Sequence, residues 1–526
     1  MIFSSPHQAV TIPETLITEF VLERAHERED KPALIEGLTG RTITYAELPG
    51  IIRRLAAGFT SHGLRKGDVL AIYSPNLPEY ALAFHAVASL GGATTMVPPL
   101  FTDEEINTQL RDSGAKYLLT IPELMNKARI AAAAANISHI FVIGEAEGAT
   151  PFTSLISDES ALPPVKIDSR EDVAALPYSS GTTGFPKGVM LTHYNLVSML
   201  CQMQATDALS ESDTLVCVVP MYHLYGLHVV VNLGLREGAT IVTLPRYELN
   251  QFLETLEKYQ VTIAPLVPPL VLALSRAPEV ENYDLSKLRM IHCGAASLAD
   301  DVARACSRRF GSGIRYGYGL TEVSPLSHAS VPFEENKPGS VGYCLPNTEC
   351  KIVDYQTGEE LGPNEEGEIW VRGPQVMKGY LGNTEATKEM ILPDGWLRTG
   401  DIGYADEDGR LFVVDRLKEL IKYKGRQVAP AELEALLLSH PAVADAGVIP
   451  SPNEEAGEVP KAFIVLKDGA LKHDATADEI ITYVAERVAP HKRIRKVEFV
   501  SQIPRSPAGK ILRRILVEQE RQKISK

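Results

Sequence analysis

Hydrophobic and polar residues alternate in blocks over the first half of the chain, from about residue 56 to residue 263. Short apolar runs typical of buried strands precede stretches with helical spacing, as at residues 69–74 and 79–90. Further apolar runs of this kind are residues 117–121, 139–143 and 214–219. This alternation predicts a mainly parallel sheet with helices on its faces. By contrast, residues 145–173 are acidic, rich in Ser and Pro and without period, which predicts a surface loop.

The pattern changes after about Lys337, where short strand-like runs are separated by tight-turn signals. The runs are residues 350–355, 367–372 and 410–414, and the turn signals are Thr357-Gly358 and Asp408-Gly409. This arrangement predicts antiparallel hairpins, as a small barrel or ribbon.

A third pattern begins near Leu417. Pro430 opens an amphipathic helix that ends at Pro441, because proline suits a first helical turn and stops a helix that reaches it. Strands are predicted at residues 446–449 and 462–465, and a helix at residues 478–488. These last residues, about 110 in number, are enough for a separate α+β domain.

Composition narrows the class of protein. The chain has 526 residues, which implies several domains, and a net charge of −15, which argues against a nucleic-acid partner. Its longest apolar stretches fall short of the roughly 20 residues of a transmembrane segment, and no secretory signal is visible at its start. The six cysteines show no metal-ligand spacing, as expected of reduced thiols in a cytoplasmic protein.

The strongest chemical signal is the segment Leu176-Pro-Tyr-Ser-Ser-Gly-Thr-Thr-Gly-Phe-Pro-Lys-Gly188. Glycines let the backbone N–H groups converge on phosphate oxygens, the hydroxyls add donors, and Lys187 adds a mobile positive charge. The pattern differs from a Walker-type loop, because Pro186 precedes the lysine and Gly188 follows it. The alternative is a flexible surface loop without a role in ligand binding.

This segment resembles the AMP-binding signature of the adenylate-forming enzymes, the superfamily of acyl-CoA synthetases, nonribosomal adenylation domains and firefly-type luciferases. The resemblance covers essentially the whole chain and is nearest to the 4-coumarate–CoA ligase-like branch. It implies an α/β fold: a large N-terminal domain, residues 1–417, of two doubly wound subdomains plus a β-barrel. Residues 418–526 would form a small, mobile α+β lid. The loop residues that would bind ATP or AMP are Ser179, Ser180, Gly181, Thr182, Thr183, Gly184 and Lys187.

Gly317-Tyr-Gly-Leu-Thr-Glu322 is similar to the second nucleotide motif of the superfamily. By that resemblance Tyr318 packs on adenine, Thr321 contacts the α-phosphate and Glu322 holds Mg²⁺. A carboxylate is the ligand that a hard cation bridging phosphates requires. Further nucleotide contacts are implied for Gly294, Ala295, Ala296, Gly317, Gly319, Asp401 and Arg416, of which the last two would hold the ribose.

Pro220-Met-Tyr-His-Leu-Tyr-Gly226 resembles the segment that closes the carboxylate pocket, with His223 at the mouth of the acyl tunnel. A satisfied core histidine is the alternative for His223. The residues that would contact the acyl group are Tyr222, His223, Tyr225, Gly294, Gly319, Pro325 and Leu326. Most of them are apolar, so that aryl or hydroxycinnamic acids and medium-chain fatty acids both fit.

The C-terminal motifs complete the resemblance. Lys418 occupies the hinge position, and Lys510, in Pro504-Arg-Ser-Pro-Ala-Gly-Lys510, is the implied adenylation lysine. The residues that would bind coenzyme A are Lys422, Lys424, Gly425 and Gln427. Arg426 replaces an aromatic residue common at its position, and either contacts coenzyme A or points into water.

The implied catalytic residues are Lys510, His223, Glu322 and Thr321, acting on ATP with Mg²⁺, a small carboxylic acid and coenzyme A. The expected activity is that of an ATP-dependent carboxylate–CoA ligase. The alternatives are a luciferase-like oxygenase, an enzyme that loads a carrier protein, and a non-catalytic sensor. A sensor is disfavoured because Lys187, Glu322 and Lys510 are all present. A monomer and a homodimer are equally compatible with the sequence.

Overall fold

The structure is a computed structural model that describes residues 1–156, 162, 164–179, 186–296, 298, 300–333, 337–424, 426–453, 456–467, 474–506 and 509–524. The chain forms two compact units. The larger unit comprises Ser4–Cys350 and Val371–Leu397, and the smaller unit comprises Met1–Phe3, Lys351–Trp370 and Arg398–Lys526. Each unit has its own buried core.

The strands up to residue 344 are, in chain order, β1 (Ile2–Ser4), β2 (Pro32–Glu36), β3 (Thr42–Thr44), β4 (Val69–Tyr73), β5 (Ala93–Met96), β6 (Tyr117–Thr120), β7 (His139–Val142), β8 (Thr150–Pro151), β9 (Val173–Ala175), β10 (Tyr178–Ser179), β11 (Lys187–Thr192), β12 (Thr214–Cys217), β13 (Thr240–Thr243), β14 (Ile263–Leu266), β15 (Met290–Cys293), β16 (Gly313–Tyr318), β17 (His328–Ala329) and β18 (Ser340–Cys344). The later strands are β19 (Glu349–Val353), β20 (Gly367–Arg372), β21 (Gly379–Tyr380), β22 (Leu397–Ala405), β23 (Leu411–Arg416), β24 (Ile421–Tyr423), β25 (Arg426–Val428), β26 (Val443–Asn453), β27 (Gly457–Leu466) and β28 (Lys496–Phe499).

The α-helices are α1 (Ile17–Leu22), α2 (Glu47–Ser61), α3 (Pro78–Ser89), α4 (Asp103–Asp112), α5 (Met125–Ala135), α6 (Phe152–Ile156), α7 (His193–Gln204), α8 (Leu233–Glu237), α9 (Leu249–Lys258), α10 (Pro268–Arg276), α11 (Asp300–Phe310), α12 (Thr384–Met390), α13 (Pro430–Leu438), α14 (Asp474–Ala485) and α15 (Arg513–Ile524). A π-helix, Tyr225–Asn232, runs directly into α8.

The larger unit contains two sheets whose central strands are parallel. In the first sheet the parallel strands follow the order β16-β15-β14-β12-β13-β2, with antiparallel strands at both ends. In the second sheet the order is β9-β5-β4-β6-β7-β8, and the antiparallel hairpin β10–β11 joins it at β9. The predicted alternation of strands and helices is therefore confirmed.

Side chains on both faces of each sheet are buried. In β4, Leu70 and Ile72 belong to the largest apolar cluster, whereas Ala71 and Tyr73 pack with α4 and α5 on the opposite face. Successive strand residues point to opposite faces, so both faces are covered by helices, as in a doubly wound fold. In β12, Leu215 and Cys217 join the same largest cluster, and Val216 faces α9 and α10 instead. The largest cluster is thus shared by both sheets.

The prediction of a plain surface loop at residues 145–173 is wrong in part. The segment forms β8 and α6, and Phe152 and Leu155 are buried. Gly58 of α2 allows this contact, because a Cβ at that position would lie 2.6 Å from the carbonyl oxygen of Leu155. Residues 157–161 and 163 of the predicted loop lie outside the described residues.

The smaller unit contains an antiparallel set of strands and an α+β set. The antiparallel strands follow the order β1-β19-β20-β22-β23, which confirms the hairpin signals after Lys337. The α+β set has the order β25-β24-β27-β26, with β28 parallel to β27. Its core includes Leu433 and Leu437 of α13, at the spacing of the predicted amphipathic helix. The division at 417/418 and the closed barrel stay predictions.

None of the helices in the described part of the chain combines the length and the apolar character that crossing a membrane requires.

Candidate active site

The predicted phosphate loop lies at the tip of the β10–β11 hairpin. Ser179 pairs with Lys187 across this hairpin, and the strands bring together the two ends of the loop. Ser180, Gly181, Thr182, Thr183 and Gly184 lie outside the described residues. On its other edge, β11 pairs with β21, so that Val189 lies opposite Tyr380. The hairpin is therefore fixed to a segment almost two hundred residues away in sequence.

Tyr380 connects the loop to the second nucleotide motif. Its hydroxyl donates to Oε1 of Glu322 at 2.8 Å, and Nζ of Lys187 lies 5.0 Å from the centre of its ring. Burial and the Glu322 carboxylate both raise the pKa of the Tyr380 phenol, which therefore remains a donor. We call Lys187, Glu322 and Tyr380 the hairpin cluster. Two of its members were predicted from the sequence, and the structure brings them together through the third.

The backbone of the second motif is held by its own continuation. A Cβ at Gly319 would lie 2.0 Å from the carbonyl oxygen of Pro325, and one at Gly317 would lie 3.1 Å from Cδ1 of Leu326. Glycine is thus required where the strand end approaches the segment that carries these two predicted acyl contacts. Thr321, half-buried, starts the short 3₁₀ turn that presents Glu322.

Tyr318 is buried at the end of β16, with its ring centre 5.9 Å from that of His328. Its carbonyl accepts the N–H of Ser327 at 3.0 Å, which keeps the aromatic residue in place at the strand end. An aromatic side chain fixed in this way offers a rigid surface for stacking.

Gly294, the first of the small residues after β15, lies next to the ring of Tyr225. A Cβ at Gly294 would lie 3.6 Å from that ring, and the Tyr225 hydroxyl donates to the carbonyl oxygen of His292 at 2.9 Å. Ala295, which is exposed, has φ = 73°, in the left-handed region that non-glycine residues rarely adopt. Ala296 is also exposed. The Tyr225 hydroxyl is thus bonded to the backbone, and its ring faces Gly294.

Tyr222 and His223 lie just before the π-helix. Tyr222 is half-buried against the largest apolar cluster, whereas His223 is solvent-accessible. Surrounding protein nevertheless lowers the pKa of His223, which keeps the imidazole neutral. Because the His223 ring is accessible to solvent yet has protein around it, His223 fits a concave surface better than the buried core position that was the alternative from the sequence. π-Helical turns are frequent at functional sites.

Asp401 and Arg416, the two predicted ribose ligands, are neighbours in the smaller unit. They pair in register across β22 and β23, and Nε of Arg416 lies 3.2 Å from Oδ1 of Asp401. The structure therefore places an acceptor and a donor fork side by side, as recognition of two vicinal hydroxyls requires.

Lys510 lies in the same charged environment. Burial and the positive charge of Arg416 lower its pKa to about 8, against the attraction of Glu419 and Asp401. No carboxylate among the described residues forms an ion pair with its ammonium. Arg513, three residues further on, ion-pairs with Glu419 and, at 2.6 Å, with Glu434. We call Asp401, Arg416, Glu419, Lys510 and Arg513 the lysine cluster.

The predicted coenzyme A contacts lie on the β24–β25 hairpin, where Lys422 is opposite Gln427 in register. Lys422 and Lys424 are exposed, and Gly425 lies outside the described residues. Lys418, the predicted hinge, is exposed in the turn that follows β23. The N–H of Glu419 and that of Leu420 both bond the carbonyl of Arg416 around this turn.

Glu322 fits a magnesium ligand that acts together with a bound nucleotide. It is buried, and the hydroxyl of Tyr380 donates to one of its oxygens, which orients the carboxylate. Within the described ranges no group of three or more His, Cys, Asp or Glu side chains is arranged to hold a metal. Mg²⁺ commonly takes one or two carboxylates plus phosphate oxygens and water, so one acidic side chain is sufficient.

Three residues of these clusters were not anticipated from the sequence: Tyr380, Glu419 and Arg513. Tyr380 follows Gly379 in a short strand with no local pattern that indicates chemistry. Arg513 had a weak signal, because it stands one turn beyond Lys510 in the run Ile-Leu-Arg-Arg. Glu419 is adjacent to the predicted hinge and has no residue pattern around it that indicates a contact with Arg513.

The doubly wound sheets, the hairpin cluster and the lysine cluster define an adenylate-forming enzyme. Residues 21–381 match the AMP-binding enzyme family, and residues 432–510 match the AMP-binding enzyme C-terminal domain. The chain belongs to the AMP-binding enzyme family.

Among its relatives are plant 4-coumarate–CoA ligases. The chain is 45% identical to 4-coumarate:CoA ligase 1 of Petunia hybrida, and 44% identical to 4-coumarate–CoA ligase 2 of Petroselinum crispum. Each alignment covers 98% of this chain and 96% of the relative. The structure is also similar to that of an anthranilate CoA ligase in complex with anthranoyl-AMP, with a TM-score of 0.90 at 27% identity. That similarity covers 98% of this chain and 99% of the other.

Proposed function

We propose that this enzyme is an ATP-dependent carboxylate–CoA ligase that converts an acid, ATP and coenzyme A into acyl-CoA, AMP and diphosphate. The observation that carries the proposal is the near-complete, 45% identical alignment with a 4-coumarate–CoA ligase. The presence of Lys187, Glu322 and Lys510 supports a working rather than a degenerate site.

In the first half-reaction a carboxylate oxygen of the acid bonds to the α-phosphorus of ATP, and the bond to the diphosphate leaving group breaks. Two anions must approach each other, which makes positive charge the main requirement. The Lys510 ammonium supplies this charge to the carboxylate and the α-phosphate, and Lys187 to the departing phosphates. Glu322 would hold Mg²⁺, which neutralises phosphate charge when bound.

In the second half-reaction the sulfur of coenzyme A bonds to the activated carbonyl carbon, AMP leaves, and the thiol proton passes to water. Lys422, Lys424 and Gln427 are the proposed contacts for coenzyme A. The side chain that serves the first step must then give way to the thiol. We therefore assign residues 418–526 a rotation about Lys418 between the two steps.

The acid is an aryl or hydroxycinnamic acid or a medium-chain fatty acid. Tyr222, the Tyr225 ring, Gly294, Pro325 and Leu326 support an apolar acyl pocket. His223, neutral and accessible, would lie beside the carboxylate end.

For the whole protein we propose a cytoplasmic location and either a monomer or a homodimer. All six cysteines are buried in the described part of the chain and form no disulfide bond there, which supports a reducing compartment.

The test is a panel of hydroxycinnamic, benzoic and C6–C12 fatty acids, with AMP and acyl-CoA detected by mass spectrometry. AMP and acyl-CoA should form together, and the acyl-adenylate should accumulate when coenzyme A is omitted. Light or oxygen uptake would indicate a luciferase-like enzyme, and acylation of a carrier protein but not of coenzyme A a carrier-loading enzyme. The complete absence of AMP with every acid would indicate a sensor.

A further inference from the structure

Helix α13 begins without a cap of its own. Its N-cap residue is Ala429, whose side chain cannot accept a hydrogen bond, and Pro430 at the first helical position has no N–H. The first N–H groups of a helix lack partners within it, and a nearby side chain normally satisfies one of them. The N–H of Ala431 is the group that a capping side chain would ordinarily bond.

Asp415, at the end of β23, supplies the missing cap. Its Oδ2 accepts the N–H of Ala431 at 2.8 Å, and its Oδ1 accepts the N–H of Arg416 at 2.7 Å. The carboxylate is buried, which raises its pKa, and the positive charge of Arg513 acts in the opposite direction. A negative charge at this end of a helix is also stabilised by the helix dipole.

This hydrogen bond spans the predicted hinge. Asp415 precedes Lys418, and Ala431 follows it, within the same compact unit. A small apolar cluster of Ile402, Leu420 and Ala429 lies in the same region and also joins residues from both sides of position 418. Rotation about Lys418 must therefore break the bond between Asp415 and Ala431.

The contact reaches Lys510 through α13. Glu434, one turn beyond Ala431 in the helix, ion-pairs with Arg513, which lies three residues after Lys510. The groups bonded by Arg513, namely Glu419, Glu434 and the carbonyl of Val448, all follow Lys418. They would move with Lys510, whereas Asp415 would stay behind.

We propose that Asp415 is a positioning residue that holds α13, and through it Lys510, in the orientation used for adenylation, and that releases the helix for thioester formation. This inference rests on the proposed two-step function. In this two-step reaction Asp415 contacts no reacting atom, and it acts on Lys510 through α13. Its loss must consequently affect the two half-reactions unequally.

The experiment measures each half-reaction in Asp415→Ala, with an acid accepted by the wild-type enzyme. ATP–diphosphate exchange should fall about tenfold, the effect typical of a lost hydrogen bond to a charged group. Conversion of the preformed acyl-adenylate to acyl-CoA should stay at the wild-type rate or rise. The matched control is Asp406→Ala, because Asp406 is equally buried and accepts two backbone N–H bonds, both within its own turn. It should lower neither rate.

A second variant tests the donor and leaves Asp415 intact. Ala431→Pro removes the N–H at a first-turn position where proline is tolerated, and α10 of this chain begins with Pro268-Pro269. It should show the same selective loss as Asp415→Ala, and the double variant should lose no more than either alone. This variant decides the matter if Asp415→Ala does not fold.

Equal losses in both half-reactions, no loss, or a loss confined to thioester formation would overturn the role of Asp415. Additive losses in the double variant would overturn it as well. A wild-type enzyme that forms no acyl-adenylate with any acid would instead overturn the proposed function, and this result is obtained before any variant is made.

Discussion

The hairpin cluster and the lysine cluster each contain a lysine that we propose meets an anionic substrate, and the two clusters hold this lysine in different ways. In the hairpin cluster a neutral phenol lies between one carboxylate and one lysine, and paired strands fix the group. In the lysine cluster four charged side chains, two of each sign, surround Lys510 at the end of a loop. The first cluster depends on backbone pairing for its geometry, and the second depends on balanced charge.

This difference has a consequence for motion. Strand pairing breaks only at a large cost, so Lys187 and Glu322 remain together throughout a catalytic cycle. The charges around Lys510 form no direct ion pair with its ammonium among the described residues, so Lys510 can leave them without breaking a bond to a carboxylate. The lysine cluster therefore suits Lys510, which we propose acts in the first half-reaction and moves away before the second.

The largest effect is expected from Lys510→Ala. ATP–diphosphate exchange should fall roughly 10³-fold, because the cation that offsets the approach of two anions is removed. Thioester formation from the preformed acyl-adenylate should be largely unaffected. Lys467→Ala, which removes an exposed lysine bonded to the carbonyl of Pro441, is the control. Equal loss of both half-reactions would contradict the assignment of Lys510 to adenylation.

Removal of the central ion pairs of the lysine cluster tests its dependence on charge. Arg513→Met should destabilise the smaller unit by about 3 kcal/mol, because Glu434 is left buried without its cation. Urea unfolding measures this loss of stability, and amide hydrogen exchange shows whether α13 is affected. Arg487→Met is the control, since Arg487 forms an exposed pair with Glu486. If α13 exchanges at the wild-type rate in Arg513→Met, charge balance does not hold this cluster.

The hairpin cluster is tested by Tyr380→Phe, which removes only the hydroxyl that bonds Glu322. The catalytic efficiency kcat/KM for ATP should fall about tenfold, with little change in thermal stability, because the strands keep the ring in place. Tyr259→Phe removes a comparable hydroxyl, bonded to the carbonyl of Gly37, and should have no such effect. A stability loss as large as that of Arg513→Met would remove the contrast between the clusters.

The smallest effect is a pH dependence. The pKa of Lys510 is lowered to about 8, so its ammonium form predominates below this pH and is lost above it. The kcat/KM for ATP, which reports the free enzyme, should therefore fall about twofold by pH 8 and further at higher pH. In Lys510→Arg the residual activity should persist to higher pH, since a guanidinium stays charged. An unchanged profile in this variant would assign the pH dependence to another group.

The sequence predicted those parts of the fold that depend on local pattern. The apolar run at residues 69–74 became β4, the run at 367–372 became β20, and Pro430 opens α13. Helix α6 was missed because only Phe152 and Leu155 carry its burial, and their partner Gly58 is almost a hundred residues away. Likewise, the predicted helix at 478–488 is shifted toward the N-terminus, to Asp474–Ala485.

The residues of the candidate site also fall into two groups, those that a local motif indicates and those whose contacts depend on the fold. Lys187, Glu322 and Lys510 lie in dense local motifs, where several residue types together specify one chemistry. Tyr380 does not, and Asp415, although it precedes Arg416 in a segment that resembles a ribose-binding motif, has a contact that this motif does not indicate. Each acts on a group that the fold brings to it: Glu322 for Tyr380 and the N–H of Ala431 for Asp415. A single tyrosine or aspartate has no spacing to detect, and such contacts follow only from the packing of distant segments.

The burial of the cysteines bears on how the enzyme avoids acylation by its own intermediate. An acyl-adenylate reacts with any accessible thiolate, including those of the enzyme that makes it. Such self-acylation would consume the intermediate and modify the enzyme. All six cysteines lie in the described part of the chain and are buried, and burial raises the pKa of Cys293, which directly precedes Gly294. The thiolate is the reactive form, so the buried Cys293 thiol, with its raised pKa, is inert. The neighbouring Cys344 lowers the pKa of Cys350, and burial alone shields that thiol. Coenzyme A is thereby left as the thiol that an activated acyl group meets first.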